Sequence, residues 1–288
     1  MTQNSMNFKI ESYIKDMPSL PVSIRKVMEI CNAASVNPSD LNRVISLDPV
    51  LTGKLLQLIN SAYYGLGYHV TSLVKAITML GINTVRNLAL STAILGTLPK
   101  NKDHYGLDME GFWRHCLSVG VASKLLAVRQ GVEPKYHQEY FTAGLLHDIG
   151  KIPLGAALES DYMHIVSTAD REHKPLINAE DESLGINHCY AGAMIAKEWK
   201  LYYSPVADVI IWHHDISGYY GDNMRILCSV AIADYFSVAY DIGFSGNRKS
   251  IKPDKNIWET AGLKEDAFED IKEKVFQEIE KAKIFLKI

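Results

Sequence analysis

The sequence predicts an all-α protein of two helical subdomains with a C-terminal appendage. Three observations predict it. Apolar residues recur at i, i+3, i+4 spacing through most of the chain. Helix-start residues (Ser, Asp and Pro) stand just ahead of several of these runs. No Asn-Gly or Asp-Gly pair sits between alternating runs as a hairpin would require.

The first hundred residues read as about five short helices. Val22 to Asn32 places Ile24, Val27, Met28 and Cys31 on one face, with Pro21 at its start. NPSDLNRVISLD follows, with Ser39 or Asp40 as its cap and Leu41, Val44 and Ile45 inward. Asp48 caps the next, Pro49 takes its first position, and Leu51, Leu55, Leu58 and Ile59 face in. TSLVKAITMLG and INTVRNLALSTAIL are two more, parted by Gly81, a residue suited to a helix end. The polar stretch Leu98 to Asp108 marks a boundary, so the expected units are 1–105, 106–245 and a C-terminal appendage, 246–288. In the second unit, helices resume in GFWRHCLSVGVASKLLAVRQG, EYFTAGLLHDIGK, HCYAGAMIAKEWK, SPVADVIIWHH and MRILCSVAIADYFSVAY. A charged amphipathic helix from about Lys264 closes the chain and is expected to dock on the domain.

The chain has 288 residues, 47% hydrophobic and 22% charged, enough for substantial cores. Net charge is −3 and the pI is near 6.4, so no global basic surface draws it to DNA or an anionic membrane. Cys31, Cys116, Cys189 and Cys228 are scattered and form no C-x-x-C unit, as in a reduced, cytoplasmic protein. The first sixteen residues are polar and lack a signal-peptide core. No apolar run approaches the roughly 20 residues of a membrane helix.

Ten histidines are unevenly placed. His69, His104, His137, His164 and His173 lie in polar surroundings and read as surface residues. His115, His147, His188, His213 and His214 fall on apolar helical stretches. Asp148 follows Leu145, Leu146 and His147, and Asp234 lies in a helix apolar nearly all round. An ionised carboxylate in such a setting is costly unless paired or bound to a metal. Imidazole with carboxylate suits a divalent transition metal: zinc, iron, manganese or nickel. Residues adjacent on a helix diverge by roughly 100°, so His147 and Asp148 can take neighbouring corners of one ion, or Asp148 can bridge two. The other ligands would come from separate helices, as in bundle-core metal sites.

This H…HD…D pattern resembles the HD superfamily of metal-dependent phosphohydrolases, with His115, His147, Asp148 and Asp234 at its ligand positions. His188, His213-His214 and the Gly150-Lys151 that follow the pair look like its HD-GYP branch. That branch's Gly-Tyr-Pro is replaced by Gly218-Tyr219-Tyr220, and Gly111 stands where trinuclear members have glutamate. MPSLPVSIRKVMEI, DPVLTGKLLQLINSAYYG and VTSLVKAITMLGINTVRNLAL are very similar to the HDOD family, the HD-related output domain of bacterial signalling.

The HDOD resemblance runs from about Met17 to Tyr240. It implies an N-terminal helical lobe packed on an HD-like helical core, a regulatory or interaction role with signalling protein partners, and one or two metal ions. The intact ligand set keeps open hydrolysis of a nucleotide phosphoester, with Asp148 bridging and Lys151 meeting phosphate or moving a proton. Lys151 also reads as a solvated lysine closing a helix, and Arg114 as a surface charge. Trp113, Trp199 and Trp212 read as core walls, and Tyr63-Tyr64 as a pair packed between lobes.

Overall fold

In a computed structural model, which describes residues 3–31, 36–98, 107–201 and 204–287, every regular element is helical. The first lobe holds α2 (Val22–Cys31), α3 (Pro38–Ser46), α4 (Pro49–Ile59), α5 (Leu73–Leu80) and α6 (Ile82–Thr97). Asp48 caps α4 as expected: one carboxylate oxygen accepts from the Leu51 N–H at 2.9 Å and the other from Ser23 Oγ at 2.8 Å. The cap of α3 is neither Ser39 nor Asp40 but Asn37, whose Oδ1 accepts from the Ser39 N–H while Pro38 opens the helix. Gly81, at φ +83°, lets the chain turn between α5 and α6. Asn60 ties down the turn after α4, donating to the Leu56 and Val70 carbonyls and accepting from the Val70 N–H.

One helix precedes the five expected. α1 (Gln3–Asp16) is polar overall, yet buries Ile10 and Ile14. It packs on α9 (Lys151–Leu158), α11 (Leu176–Leu184) and α12 (His188–Glu198), all of the second half. Trp199, after α12, is buried and donates its Nε1–H to the Pro18 carbonyl at 3.3 Å.

The second half centres on α7 (Met109–Arg129) and α8 (His137–Leu146). A Cβ at Gly144 would lie 2.8 Å from Gly120 Cα, so these backbones touch with no side chain between them. α14 (Met224–Ala239) covers another face of α7, where Ser118 and Ser237 share a 2.8 Å hydrogen bond. α10 (Ser160–Glu172) and α13 (Pro205–Trp212) complete the frame, with α15 (Lys255–Ala261) on α14. The proposed boundary stretch, His104 included, lies largely outside the described residues.

The terminal helix starts later than expected. α16 (Lys272–Ala282) begins eight residues beyond Lys264 and docks on α7, while Phe268 and Ile271 are buried in the turns ahead of it. In α17 (Ile284–Lys287), Phe285 is fully buried, with ring centres 5.2 Å from Tyr63 of the first lobe and 4.7 Å from Phe141 of α8. Burying one such ring contributes about 1.5–3 kcal/mol. Tyr63 and Tyr64 do pack between the halves, and Tyr64 donates to Gln138 Oε1 at 3.0 Å. Arg86 of α6 pairs with Glu139 of α8 at 2.6 Å.

Candidate metal centre

The apolar run before His147 is α8, buried from Tyr140 through Leu146. The helix ends at Leu146, so His147 and Asp148 are not helical residues, as the sequence suggests, but lie on a tight turn into α9. His147 keeps right-handed helical angles, which preserves the divergence of the two side chains. His213 and His214 likewise follow the end of α13, His213 as its C-cap. His115 lies within α7, His188 opens α12 and Asp234 lies in α14. Gly150 fixes one spacing: a Cβ there would stand 1.8 Å from the His188 carbonyl oxygen and 2.6 Å from the Gly192 N.

All seven predicted ligands meet. Two groups have donor atoms within 4.8 Å of one another: Asp148 with His188, His213 and His214, and Asp148 with His115 and His147. Asp148 stands between them. Its Oδ1 lies 3.4 Å from His188 Nε2 and 3.6 Å from His213 Nε2; its Oδ2 lies 3.3 Å from His147 Nε2 and 3.9 Å from His115 Nε2. Asp234 Oδ1 joins the second side, 3.0 Å from His115 Nε2 and 3.7 Å from His147 Nε2.

The Nε2 atoms of His115, His147, His188 and His213 are buried without a hydrogen-bond partner; even the close His115–Asp234 approach lacks hydrogen-bond geometry. Unpartnered buried polar atoms are rare and costly. Here four converge on two carboxylates. The opposite ring nitrogens are held: His147 Nδ1 on the Gly144 carbonyl (2.7 Å), His213 Nδ1 on the Val209 carbonyl (2.9 Å) and His188 Nδ1 on Glu180 Oε2 (2.6 Å). Such contacts set the tautomer that aims Nε2 at an ion, and they are the usual outer shell of metal-ligating histidines. The residues present fit one or two divalent transition ions.

Glu180 escaped the sequence reading. It is fully buried on α11, accepts from the His188 N–H and from Tyr162 OH, and sits in the acidic run AEDES, where nothing distinguishes it from Asp181 and Glu182. Lys151 is not the solvated lysine closing a helix that one reading allowed. It is fully buried, opens α9, and its ammonium donates to Asp148 Oδ2 at 2.5 Å, with Ser245 Oγ 3.5 Å away. Arg114 is exposed, as expected. His69, His164 and His173 are exposed and His137 is half-buried. Trp113 and Trp212 are half-buried against the core.

Charge in the cluster is strongly coupled. Burial opposes the charge of Asp148, but His147 and Lys151 outweigh it and hold the carboxyl well below its usual range. Burial likewise disfavours an imidazolium at His147, yet Asp148 and then Asp234 push that ring up to about 9. Burial wins at His115, whose pKa falls despite Asp234, and at His214, lowered further by His213 and His188. Glu180 is lowered against its burial by His188 and Lys151. The carboxylates and the cationic groups thus hold one another's charges within the buried cluster.

Asp234 departs from its predicted setting. Its side chain is 16% exposed, because one face of α14 looks into a cleft of about 570 Å³. His213, His214 and Asp234 line that cleft, so the centre opens to solvent on one side.

An all-helical fold closing His and Asp side chains from several helices around a shared Asp defines an HD-type protein. The HDOD domain model matches residues 17–216, and the chain belongs to the HDOD family. The fold is similar to that of an HDOD domain protein of unknown function from Geobacter sulfurreducens, at TM-score 0.77 and 22% identity over 99% of both chains. It is also similar to a protein from Shewanella amazonensis SB2B described as "Putative phosphohydrolase", at TM-score 0.69 and 25% identity, covering 96% of this chain and 98% of that one. An uncharacterised protein of Treponema pallidum (strain Nichols) is 24% identical over 225 residues; the chain spans 43% of that relative's length. Six candidate ligands fall within the family match, while Asp234 and Ser245 lie beyond it. No helix among the described residues is long and apolar enough to cross a membrane.

Proposed function

We propose that this protein is a cytoplasmic regulatory module of the HDOD type, acting through signalling protein partners, whose state is set at a divalent-metal centre that binds a phosphorylated ligand. The carrying observation is the convergence of four buried, unpartnered Nε2 atoms on the two oxygens of Asp148. His188, His213 and His214 would hold one ion and His115, His147 and Asp234 a second, with Asp148 common to both. Iron, manganese, zinc and nickel all suit this donor set. All four cysteines are free, in keeping with a reducing compartment.

A bound ion offsets charge on phosphoryl oxygens and acidifies water. Around it the protein supplies orientation. Glu180 fixes the His188 ring, the Gly144 and Val209 carbonyls fix His147 and His213, and Lys151 holds Asp148 in place. Lys151 does not line the cleft, which favours that positioning role over contact with an entering phosphate.

The open cleft favours a second reading, that the centre also hydrolyses the phosphoester it binds, a nucleotide among the candidates. One experiment separates these readings. Protein purified without chelator is assayed for metal by elemental analysis, then for turnover of a phosphodiester panel with iron or manganese. Stoichiometric metal without turnover supports the regulatory module. Turnover abolished in Asp148→Ala supports the hydrolase. Absence of stoichiometric metal overturns both.

A further inference from the structure

The cleft over the centre is lined by unlike residues. Ile216, Tyr219, Met224 and Ile257 are apolar. The stretch between α14 and α15 adds Asn247, Lys249, Ser250 and Lys252, with Ile251 and Pro253 among them. That stretch lies beyond residues 17–216, outside the family match, as do Tyr219, Met224 and Ile257.

The stretch is anchored on both sides of Lys249. Asn247 Oδ1 accepts from the Leu176 N–H at 2.8 Å, and Arg248 pairs with Asp170 at 3.1 Å while lying over the Phe244 ring. Beyond it, Lys252 is paired with Glu265 at 2.6 Å. Lys249 itself is exposed and has no ion pair or hydrogen bond among the described residues. Of the carboxylates nearby, Asp215 is turned onto Ser217 and Gly218, and Asp254 is exposed at the start of α15. Exposure alone is ordinary for a lysine. Its setting is not: an anchored stretch presents one uncommitted ammonium to a cleft that His213, His214 and Asp234 of the candidate centre also line.

A volume of about 570 Å³ lies within the roughly 300–1,000 Å³ of small-molecule sites. It far exceeds the need of a phosphate ion. From this arrangement we infer that the cleft takes an organic phosphate with two separated anionic groups, and that Lys249 sets the preference for the second. The first phosphate sits at the metal floor, the organic body lies against Ile216, Tyr219 and Ile257, and the second anion pairs with Lys249. The inference rests on the metal-centre reading and adds the ligand's charge pattern and the residue that reads it.

The test compares inorganic phosphate, adenosine 5′-monophosphate and adenosine 3′,5′-bisphosphate by calorimetry on the manganese-loaded full chain at low salt. Wild type should bind the bisphosphate about fivefold more tightly than the monophosphate, the scale of one exposed ion pair, and the preference should shrink with added salt. Lys249→Ala should bring the ratio towards one, and Lys249→Glu should reverse it, each changing bisphosphate affinity more than that of inorganic phosphate. Equal ratios in wild type and both variants, with phosphate still bound, overturn the Lys249 inference and leave the metal centre standing. Failure of even inorganic phosphate to bind the loaded protein removes the ligand reading and this inference together.

Discussion

The two sides of Asp148 are built differently. On the Oδ1 side stand His188, His213 and His214, with Glu180 buried behind His188. On the Oδ2 side, His115 and His147 share the carboxylate with Asp234 and with the Lys151 ammonium. One side is oriented from behind by a carboxylate outside the donor set, whereas His147 on the other has only the Gly144 carbonyl behind it. The other is held together by ion pairs among the would-be ligands themselves, which a metal must displace. The Oδ1 side should therefore load first, and the Oδ2 side more weakly and with stronger dependence on pH.

Several experiments sharpen or break this contrast. The largest effect is expected from Asp148→Asn, which weakens both sides at once: elemental analysis should show near-complete loss of metal. Retention of one ion would mean the sides do not depend on their shared carboxylate. Lys151→Met acts chiefly on the Oδ2 side, where the ammonium meets Asp148. In metal-free protein it leaves a buried carboxylate with less compensation and should cost about 3–5 kcal/mol in denaturant unfolding. Saturating metal should restore much of that loss; if it does not, the ammonium and the ion do not share a role.

Glu180→Gln should lower affinity at the first-loading site by roughly 10–100-fold while leaving the second nearly unchanged, as stepwise calorimetric titration would show. Equal weakening of both would erase the asymmetry. Proton release gives a subtler readout. His147, pushed up to about 9, carries a proton in the metal-free protein at neutral pH, and an ion must displace it. Binding to the Oδ2 side should thus tighten from pH 7 to 9, with buffer-dependent enthalpies. In metal-free protein the sign is opposite. A folded-state value above the usual 6.5 stabilises fully below 6.5, and that stabilisation is lost as pH rises through 9. A metal-free protein whose stability is flat between pH 6.5 and 9 would contradict this account. Arg114→Ala, next in sequence to His115 but exposed, should change neither metal content nor stability by more than about 0.5 kcal/mol.

The contrast also marks what the sequence could disclose. His115, Asp148 and Asp234 were legible because a charged or titratable group inside an apolar run is expensive, and the expense points to a partner. The same reasoning fails for Glu180, since a buried carboxylate inside an acidic run leaves no break in the pattern. Lys151 was singled out only through the resemblance, since its place just past a turn looks like that of any helix-end lysine. Where an apolar stripe is strong the helix was legible: α4 was read with its Asp48 cap and Pro49 start, and α7 to within two residues at each end though without its Asp108 cap. α1 was passed over because only Ile10 and Ile14 of its fourteen residues are buried, and α9 to α11 because the turn after α8 was read as continuing helix. The cleft wall was unreadable for another reason: a loop's contribution depends on where the fold carries it, and local periodicity holds no record of that.

Gly150 turns the close approach of the turn and α12 into a rule about tolerance. Its backbone, at φ −65°, is open to any residue, so torsion does not demand a glycine there. Volume does, because a methyl group would collide with the main chain of His188. The gap between Asp148 and His188 is thus gauged by peptide against peptide, a dimension that repacking of side chains cannot adjust. Gly150→Ala would touch no ligand side chain and should still widen the centre through the His188 main chain, so the spacing of the candidate ligands is guarded at a position that carries no chemistry of its own.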